Sequence, residues 1–304
     1  MGMTMANGGT NRKIMHFSIG DVNVSLATPI RTLRRQYTDL YHEFQVDTAP
    51  DDAVRVDVVP SRFSLRHRRT YNIAVNGRDR FAPSRFDEVL PYVEWAVNWE
   101  LADVQPRFLQ LHASSLEYDG QGIIFPAASG SGKSTLALAL LQTGWRYLCD
   151  EFALIHADTL RLHPFPRAIC IKKSGFDVAA SIGIEVNSAR HYHKGTKGPV
   201  AFLNPLKIRP ACLGRVCPVR FVVFPQYVPR AKPTLMSMSR AEAALQLHHV
   251  CFNLFGCRTL GVDVLAGVIR HAACFRLISS DLPETCNLLT HMVEESKHEQ
   301  ARCA

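Results

Sequence analysis

The chain has 304 residues, 47% hydrophobic and 20% charged, with a formal net charge of +8. That length allows one large or two modest domains, and the apolar share is enough for a sizeable core. No apolar run approaches the ~18 residues a membrane helix needs, so no membrane partner is expected. Met1 to Asn11 is polar and rich in Gly and Asn; it lacks the hydrophobic core of a secretory signal, and residues 1–14 are read as a disordered leader. Val22-Asn23-Val24-Ser25-Leu26 and Val54-Arg55-Val56-Asp57-Val58 alternate as strands do. Between them, Leu33, Tyr37, Leu40, Tyr41 and Phe44 recur at helical spacing within Ile30–Phe44. Tyr71–Val75 runs into Asn76-Gly77, a hairpin signal. Phe86–Ala102 predicts a helix with a stripe of Val89, Tyr92, Val93, Ala96, Val97 and Leu101; Trp95 and Trp99 are expected to pack in the core. Residues 15–104 thus read as a small α+β domain ending in a connecting helix.

From Phe108 the pattern turns strand-rich and opens a second domain, residues 105–304. Phe108–Tyr118 and Gln121–Pro126 flank Asp119-Gly120, another hairpin signal. A helix follows over Leu136–Leu141, closed by Gly144. Further strands are expected at Trp145–Cys149, Phe152–Ile155, Arg161-Leu162, Ala168–Lys172 and Arg215–Phe224, the last ending at Pro225. Arg240–Gly256 and Val262–His271 read as helices.

The most informative stretch lies between the second hairpin strand and its helix. Ala127-Ala128-Ser129-Gly130-Ser131-Gly132-Lys133-Ser134-Thr135 follows Ile123-Ile124-Phe125 and precedes the apolar helix. Strand, glycine-rich turn and helix are the context of a phosphate-binding loop. Backbone N–H groups of such a loop point inward, and the helix N-terminus adds partial positive charge. Lys133 can reach the β- and γ-phosphates of ATP, and the Ser134 hydroxyl can ligand Mg²⁺. The usual leading Gly is Ala127 here, which makes this a variant loop.

A phosphoryl-transfer enzyme also needs an acid for the acceptor and the metal. Asp150 ends a hydrophobic strand after the loop helix, with Glu151 beside it. Extended neighbours point to opposite faces, so one acid is expected to face the site while the other supports it. His112, in Leu109-Gln110-Leu111-His112-Ala113, reads from spacing alone as a core histidine. Lys172, Lys173 and Thr196-Lys197-Gly198 could supply positive charge to phosphates or be plain surface; spacing alone does not choose. The basic clusters Arg31–Arg35 and Arg66–Arg69 carry no recognition motif, so they read as an anion-attracting surface and not a nucleic-acid site. Nine scattered cysteines, an odd number with no C-x-x-C pair, point to a reduced, cytoplasmic protein.

Taken together, Leu111-His112-Ala113, the loop Ser129–Ser134 and Gly144-Trp145-Arg146-Tyr147-Leu148-Cys149-Asp150-Glu151 resemble the catalytic core of HPr kinase/phosphorylase. The chain is most similar to the group called HPr-kinase-related kinase A, through Glu94–Trp99, Asp150-Glu151, Pro166-Arg167, Lys172, Thr196-Lys197-Gly198 and Val223-Phe224-Pro225. The resemblance covers nearly everything after Met15. It implies an α+β fold whose P-loop kinase core is of the HPr kinase and phosphoenolpyruvate carboxykinase type. It implies catalytic roles for Asp150, Glu151, His112 and Lys133, with Asp150 taking the acceptor proton. Nucleotide binding falls to Ser129, Gly130, Ser131, Gly132, Lys133, Ser134, Thr135, Lys172 and Lys197, and metal binding to Ser134, Asp150 and Glu151. The implied activity is ATP- and Mg²⁺-dependent phosphorylation of a hydroxyl, a serine of a protein or peptide. The acidic-Val-Arg-Gly type segment of bacterial HPr kinases is not evident, so neither HPr as substrate nor the reverse phosphorolysis is implied. A homo-oligomer is left open. The competing readings are a nucleotide-binding regulatory module without transfer activity and a small-metabolite kinase or carboxykinase-like enzyme.

Overall fold

The computed structural model describes residues 12–61, 70–104, 106–126, 131–186, 189–257 and 261–303. Met1–Asn11, Arg66–Arg69 and the loop residues Ala127, Ala128, Ser129 and Gly130 lie outside the described residues. The chain divides into two compact units, Met1–Leu101 with Tyr192–Thr196, and Ala102–His191 with Lys197–Ala304.

The first unit runs β1 (Lys13–Ile19), β2 (Val22–Thr28), α1 (Arg31–Tyr41), β3 (Gln45–Val46), β4 (Val54–Pro60), β5 (Tyr71–Val75), β6 (Arg78–Phe81) and α2 (Phe86–Val104), the last extending past the unit's end at Leu101. A strand therefore begins at Lys13, inside the stretch read as leader. The six strands form one sheet in the order β3-β1-β2-β4-β5-β6, with only β2 and β4 parallel. Strand alternation gives it one apolar face: Phe17, Val24, Leu26, Val56, Val58, Ile73 and Val75 are all fully buried. The Phe17 ring meets Tyr37 of α1 edge-on at 5.0 Å. Asn76 and Gly77 both take positive φ, 47° and 79°, as a tight hairpin turn demands. The tryptophans depart from expectation: Trp95 and Trp99 are 41% and 54% exposed. Val89, Val93, Ala96 and Val97 form the buried stripe of α2. Tyr92, Trp95 and Trp99 follow their own i, i+3, i+7 stripe on another side of the helix. There Trp95 stacks on Phe81 at 5.3 Å.

The chain continues through β7 (Phe108–Leu111), β8 (Ala113–Tyr118), β9 (Gln121–Pro126), α3 (Lys133–Gln142), β10 (Arg146–Cys149), β11 (Ala153–His156), β12 (Arg161–His163), β13 (Ile169–Lys172), α4 (Phe176–Ser181) and β14 (His191–His193). It ends with β15 (Pro199–Leu203), α5 (Pro205–Ile208), β16 (Cys217–Tyr227), β17 (Thr234–Ser237), α6 (Arg240–His249), α7 (Gly261–His271), β18 (Ala273–Ser279) and α8 (Leu282–Cys303). The second unit is built on a nine-stranded mixed sheet ordered β10-β8-β9-β16-β12-β11-β7, with β18 beside β16 and β17 beside β18. β16 runs parallel to β9 and β18, and the other pairs are antiparallel. β13 and β15 pair in a separate small sheet. Gly122 permits the close approach of β9 to β16, because a Cβ there would sit 2.8 Å from the Pro218 carbonyl oxygen.

Alternation along the strands sorts the core into two layers. Leu116, Ile123, Phe125, Phe221 and Val223 pack with α3 and α8. Leu111, Ala113, Ile124, Val222 and Phe224 pack with α6 and α7. Every residue of α3 from Leu136 to Leu141 is buried, and a helix apolar all round belongs inside a layer.

Several elements of the second unit differ from the sequence pattern. Phe108–Tyr118 is not one strand but breaks at His112 into β7 and β8. The helix expected over Arg240–Gly256 stops at His249, because the following residues pair with β7 instead. There Leu111 bridges Cys251, and the Phe252 N–H donates to Gln110 O at 3.0 Å. β16 continues through Pro225 to Tyr227, alongside β18, and α8 adds a 22-residue helix the pattern did not single out. Among the described residues no helix is long and apolar enough to cross a membrane.

Candidate functional site

Two chain segments of the second unit pass between the two ends of the sheet order at the same place. Leu111 lies opposite Ala153, where β7 pairs with β11, and Ser115 lies opposite Cys149, where β8 pairs with β10. Between these pairs the chain bends at His112 on one side and at Asp150-Glu151 on the other. Bends or bulges where strands switch sheets make the corners of such structures. A register shift between Tyr147 and Cys149 adds a bulge on β10 just before the acids. Ser114 pairs with Phe125, so this corner adjoins the end of β9, where the glycine-rich stretch begins.

Of that stretch, Ser131, Gly132, Lys133, Ser134 and Thr135 are described; the Ser129 and Gly130 assignments fall outside the described residues. Gly132 caps α3 with φ 87°, a left-handed conformation that disfavours any residue with a Cβ. Its carbonyl accepts from the Leu136 N–H at 2.9 Å, while the first N–H groups of the helix have no partner within it. No acidic side chain occupies the first turn of α3, so the partial positive charge there is not offset within the helix. The Ser131 hydroxyl oxygen is buried without a hydrogen-bond partner. Thr135 lies against Gly175, where an added Cβ would come within 3.3 Å of its hydroxyl.

Asp150 is 2% exposed. Its Oδ1 accepts a hydrogen bond from the Ser114 hydroxyl at 2.5 Å, and its Oδ2 is buried with no partner. Burial pushes the carboxyl up to about 6; hydrogen bonds from Ser114 and Ser134 oppose the rise, Glu151 adds to it, and Lys133 opposes it. Lys133 is 8% exposed. Burial pulls its ammonium down to about 8; the charges of Asp150 and Glu151 oppose this, while Lys172 and Lys197 reinforce it. The structure therefore gathers Lys133, Ser134 and Asp150 at one helix N-terminus, with Glu151, Lys172 and Lys197 within electrostatic reach.

Glu151 faces differently from its neighbour. It is partly exposed, and its Oε2 lies 3.4 Å from Nη1 of Arg167, a guanidinium only 3% exposed. The Tyr147 hydroxyl donates to the Arg167 carbonyl at 3.0 Å, which fixes that segment. His112 sits at the facing bend. Its N–H donates to Val250 O at 2.7 Å, and its ring meets Phe252 edge-on at 5.8 Å. Phe252 in turn packs on Phe152, two residues after Asp150. The Cys149 thiol, pushed up to about 12 by burial, is no nucleophile at neutral pH.

Among the described residues no group of His, Cys, Asp and Glu side chains forms a metal centre of its own. The orphaned Asp150 Oδ2 and the Ser134 hydroxyl fit a different arrangement. They are oxygen donors suited to Mg²⁺, which takes one or two protein ligands and completes its shell with phosphate oxygens and water. Sequence reasoning passed over Ser114. A Ser-Ser pair inside a buried strand was the available signal, since a buried hydroxyl needs a partner.

Residues 97–203 match the family model described as SynChlorMet cassette protein ScmC, about a third of the chain and a span that contains every residue of this cluster. No curated protein matches the chain. Among solved structures, the chain is similar to the HPr(Ser) kinase/phosphatase from Coxiella burnetii, at 13% identity and a TM-score of 0.32, over 63% of this chain and 98% of that chain.

Proposed function

We propose that this chain is an ATP- and Mg²⁺-dependent phosphotransferase that passes the γ-phosphoryl group to a hydroxyl, a serine of a protein or peptide. In this reading residues 105–304 form a P-loop kinase core of the HPr kinase type, residues 15–104 a separate N-terminal domain, and the protein works in the cytoplasm. The single observation that carries the proposal is Asp150: a buried carboxylate with one oxygen unbonded, next to a buried lysine at a helix N-terminus.

Each residue then has a task. The N–H groups opening α3 and the Lys133 ammonium hold the β- and γ-phosphates. Lys172 and Lys197 offset charge that grows on the transferred group. Ser134 and Asp150, with Glu151 behind them, would hold Mg²⁺, which would supply charge neutralisation for the phosphates. The Asp150 carboxylate accepts the acceptor's proton as the acceptor oxygen bonds to the γ-phosphorus. The bond to the bridging oxygen breaks, and ADP leaves with that electron pair. A module that only bound nucleotide would need the loop and Lys133, but not a carboxylate buried against its own solvation.

The test is Lys133→Ala, with ATP affinity and transfer measured together. Binding should weaken by at least about tenfold and transfer should disappear, as expected for loss of a desolvated charge on phosphate. EDTA should stop turnover of the unaltered chain. Unchanged affinity and turnover in Lys133→Ala would overturn the proposal.

A further inference from the structure

We propose that Ser114 is the positioning residue for Asp150: its hydroxyl pins Oδ1 and so presents Oδ2 to the reacting groups. The inference rests on the phosphoryl-transfer reading of the site. Ser114 is fully buried on β8, and its Oγ donates to Oδ1 at 2.5 Å. Side chains on a strand alternate, so Ser114 shares the face of Leu116, which packs with α3. Its partner on β9 is Phe125, next to the last residue of that strand. The hydroxyl thus stands at the corner where β9 gives way to the loop.

A carboxylate turns easily about its Cβ–Cγ bond, because that torsion is broad. Asp150 has few groups to stop it. Ser134 and Lys133 approach from α3, Glu151 follows it in the chain, and Oδ2 has no partner. The 2.5 Å bond from a buried strand residue therefore fixes Oδ1, with Ser134 assisting from α3. Strands at full burial favour branched apolar residues, and a serine here weakens β8 unless its hydroxyl is used. The neighbouring Ser115 gives the contrast: it lies on the other face of β8, and its hydroxyl is buried without a partner.

The experiment uses the full chain with Mg²⁺ and ATP. Phosphate release with water as acceptor reports kcat, and a fluorescent ATP analogue reports binding. Ser114→Ala should lower kcat by roughly 10- to 100-fold while the dissociation constant for the analogue stays within about twofold, the effect of a misaimed catalytic group. Ser114→Thr keeps the hydroxyl and should restore most of the rate. Ser115→Ala should leave the rate unchanged. If Ser114→Ala keeps the parent kcat, Ser114 does not position Asp150, and the kinase reading stands without it. If the unaltered chain binds the analogue but releases no phosphate, water does not stand in for the serine acceptor, and the structure of the variant gives the answer instead. A crystal structure of Ser114→Ala then decides the point without turnover: a rotated Asp150 carboxylate supports the pinning role, and an unmoved one overturns it.

Discussion

Asp150 holds its carboxyl where burial disfavours the charged form. Its pKa rises from an ordinary 3.8 to about 6, so ionising it in the folded chain costs on the order of a few kcal/mol. The folded value lies above the unfolded one. The protonated folded form is therefore favoured, and stability falls as pH rises from about 4 to about 6. Asp150→Asn removes that cost. In metal-free, nucleotide-free protein it should be more stable than the parent at pH 7, by on the order of 1–3 kcal/mol, and should lose the pH-dependent fall. Urea unfolding at pH 4 and pH 7 checks both statements; an Asn variant less stable at pH 7 would contradict them. Lys133 sets the opposite limb. The proposed transfer needs Asp150 ionised and Lys133 charged, so kcat/KM should rise through about 6 and fall through about 8. A pH–rate profile flat across that range would remove both residues from the chemistry.

At the scale of elements, the site depends on the corner where β7 passes to β8 and β10 passes to β11. Asn253 secures one side of it. Its Oδ1 accepts from the Gln110 N–H at 2.9 Å, and its Nδ2 donates to Phe108 O at 2.8 Å, both buried. Asn253→Ala leaves two buried backbone groups unpaired and should cost about 2–4 kcal/mol. It should also loosen Phe252 and with it the seat of His112. Thermal unfolding of the variant measures the first effect; a variant as stable as the parent would mean water or backbone replaces both bonds. This corner was not legible in the sequence. Local signals were: Asn76-Gly77 and Asp119-Gly120 announced their hairpins because positive φ is a property of the turn itself. The break at His112 and the early end of α6 were not, because each is set by pairing with residues far along the chain. Trp95 and Trp99 misled for another reason, since a helix can carry two stripes of the same period and the pattern does not say which one is covered. Of the site, loop and acid spacing singled out Lys133, Ser134 and Asp150, which the fold gathers. Ser114 stayed silent, because a serine in a strand announces nothing until its partner is placed.

At the scale of the molecule, the second unit supplies all the residues given a role in transfer: His112, Ser114, Lys133, Ser134, Asp150, Glu151, Lys172 and Lys197. The net charge of +8 suits the anionic nucleotide of the proposed reaction. In the proposed reaction Asp150 performs chemistry on a nucleotide that Lys133 and the opening of α3 hold. The most direct measurement pairs ATP binding with phosphoryl turnover in the full chain, comparing the parent with Asp150→Asn at pH 7 in Mg²⁺. Both should bind ATP, with turnover of the variant lower by roughly 10²–10⁴. Equal turnover in the two proteins, or no binding of ATP by the parent, would contradict it.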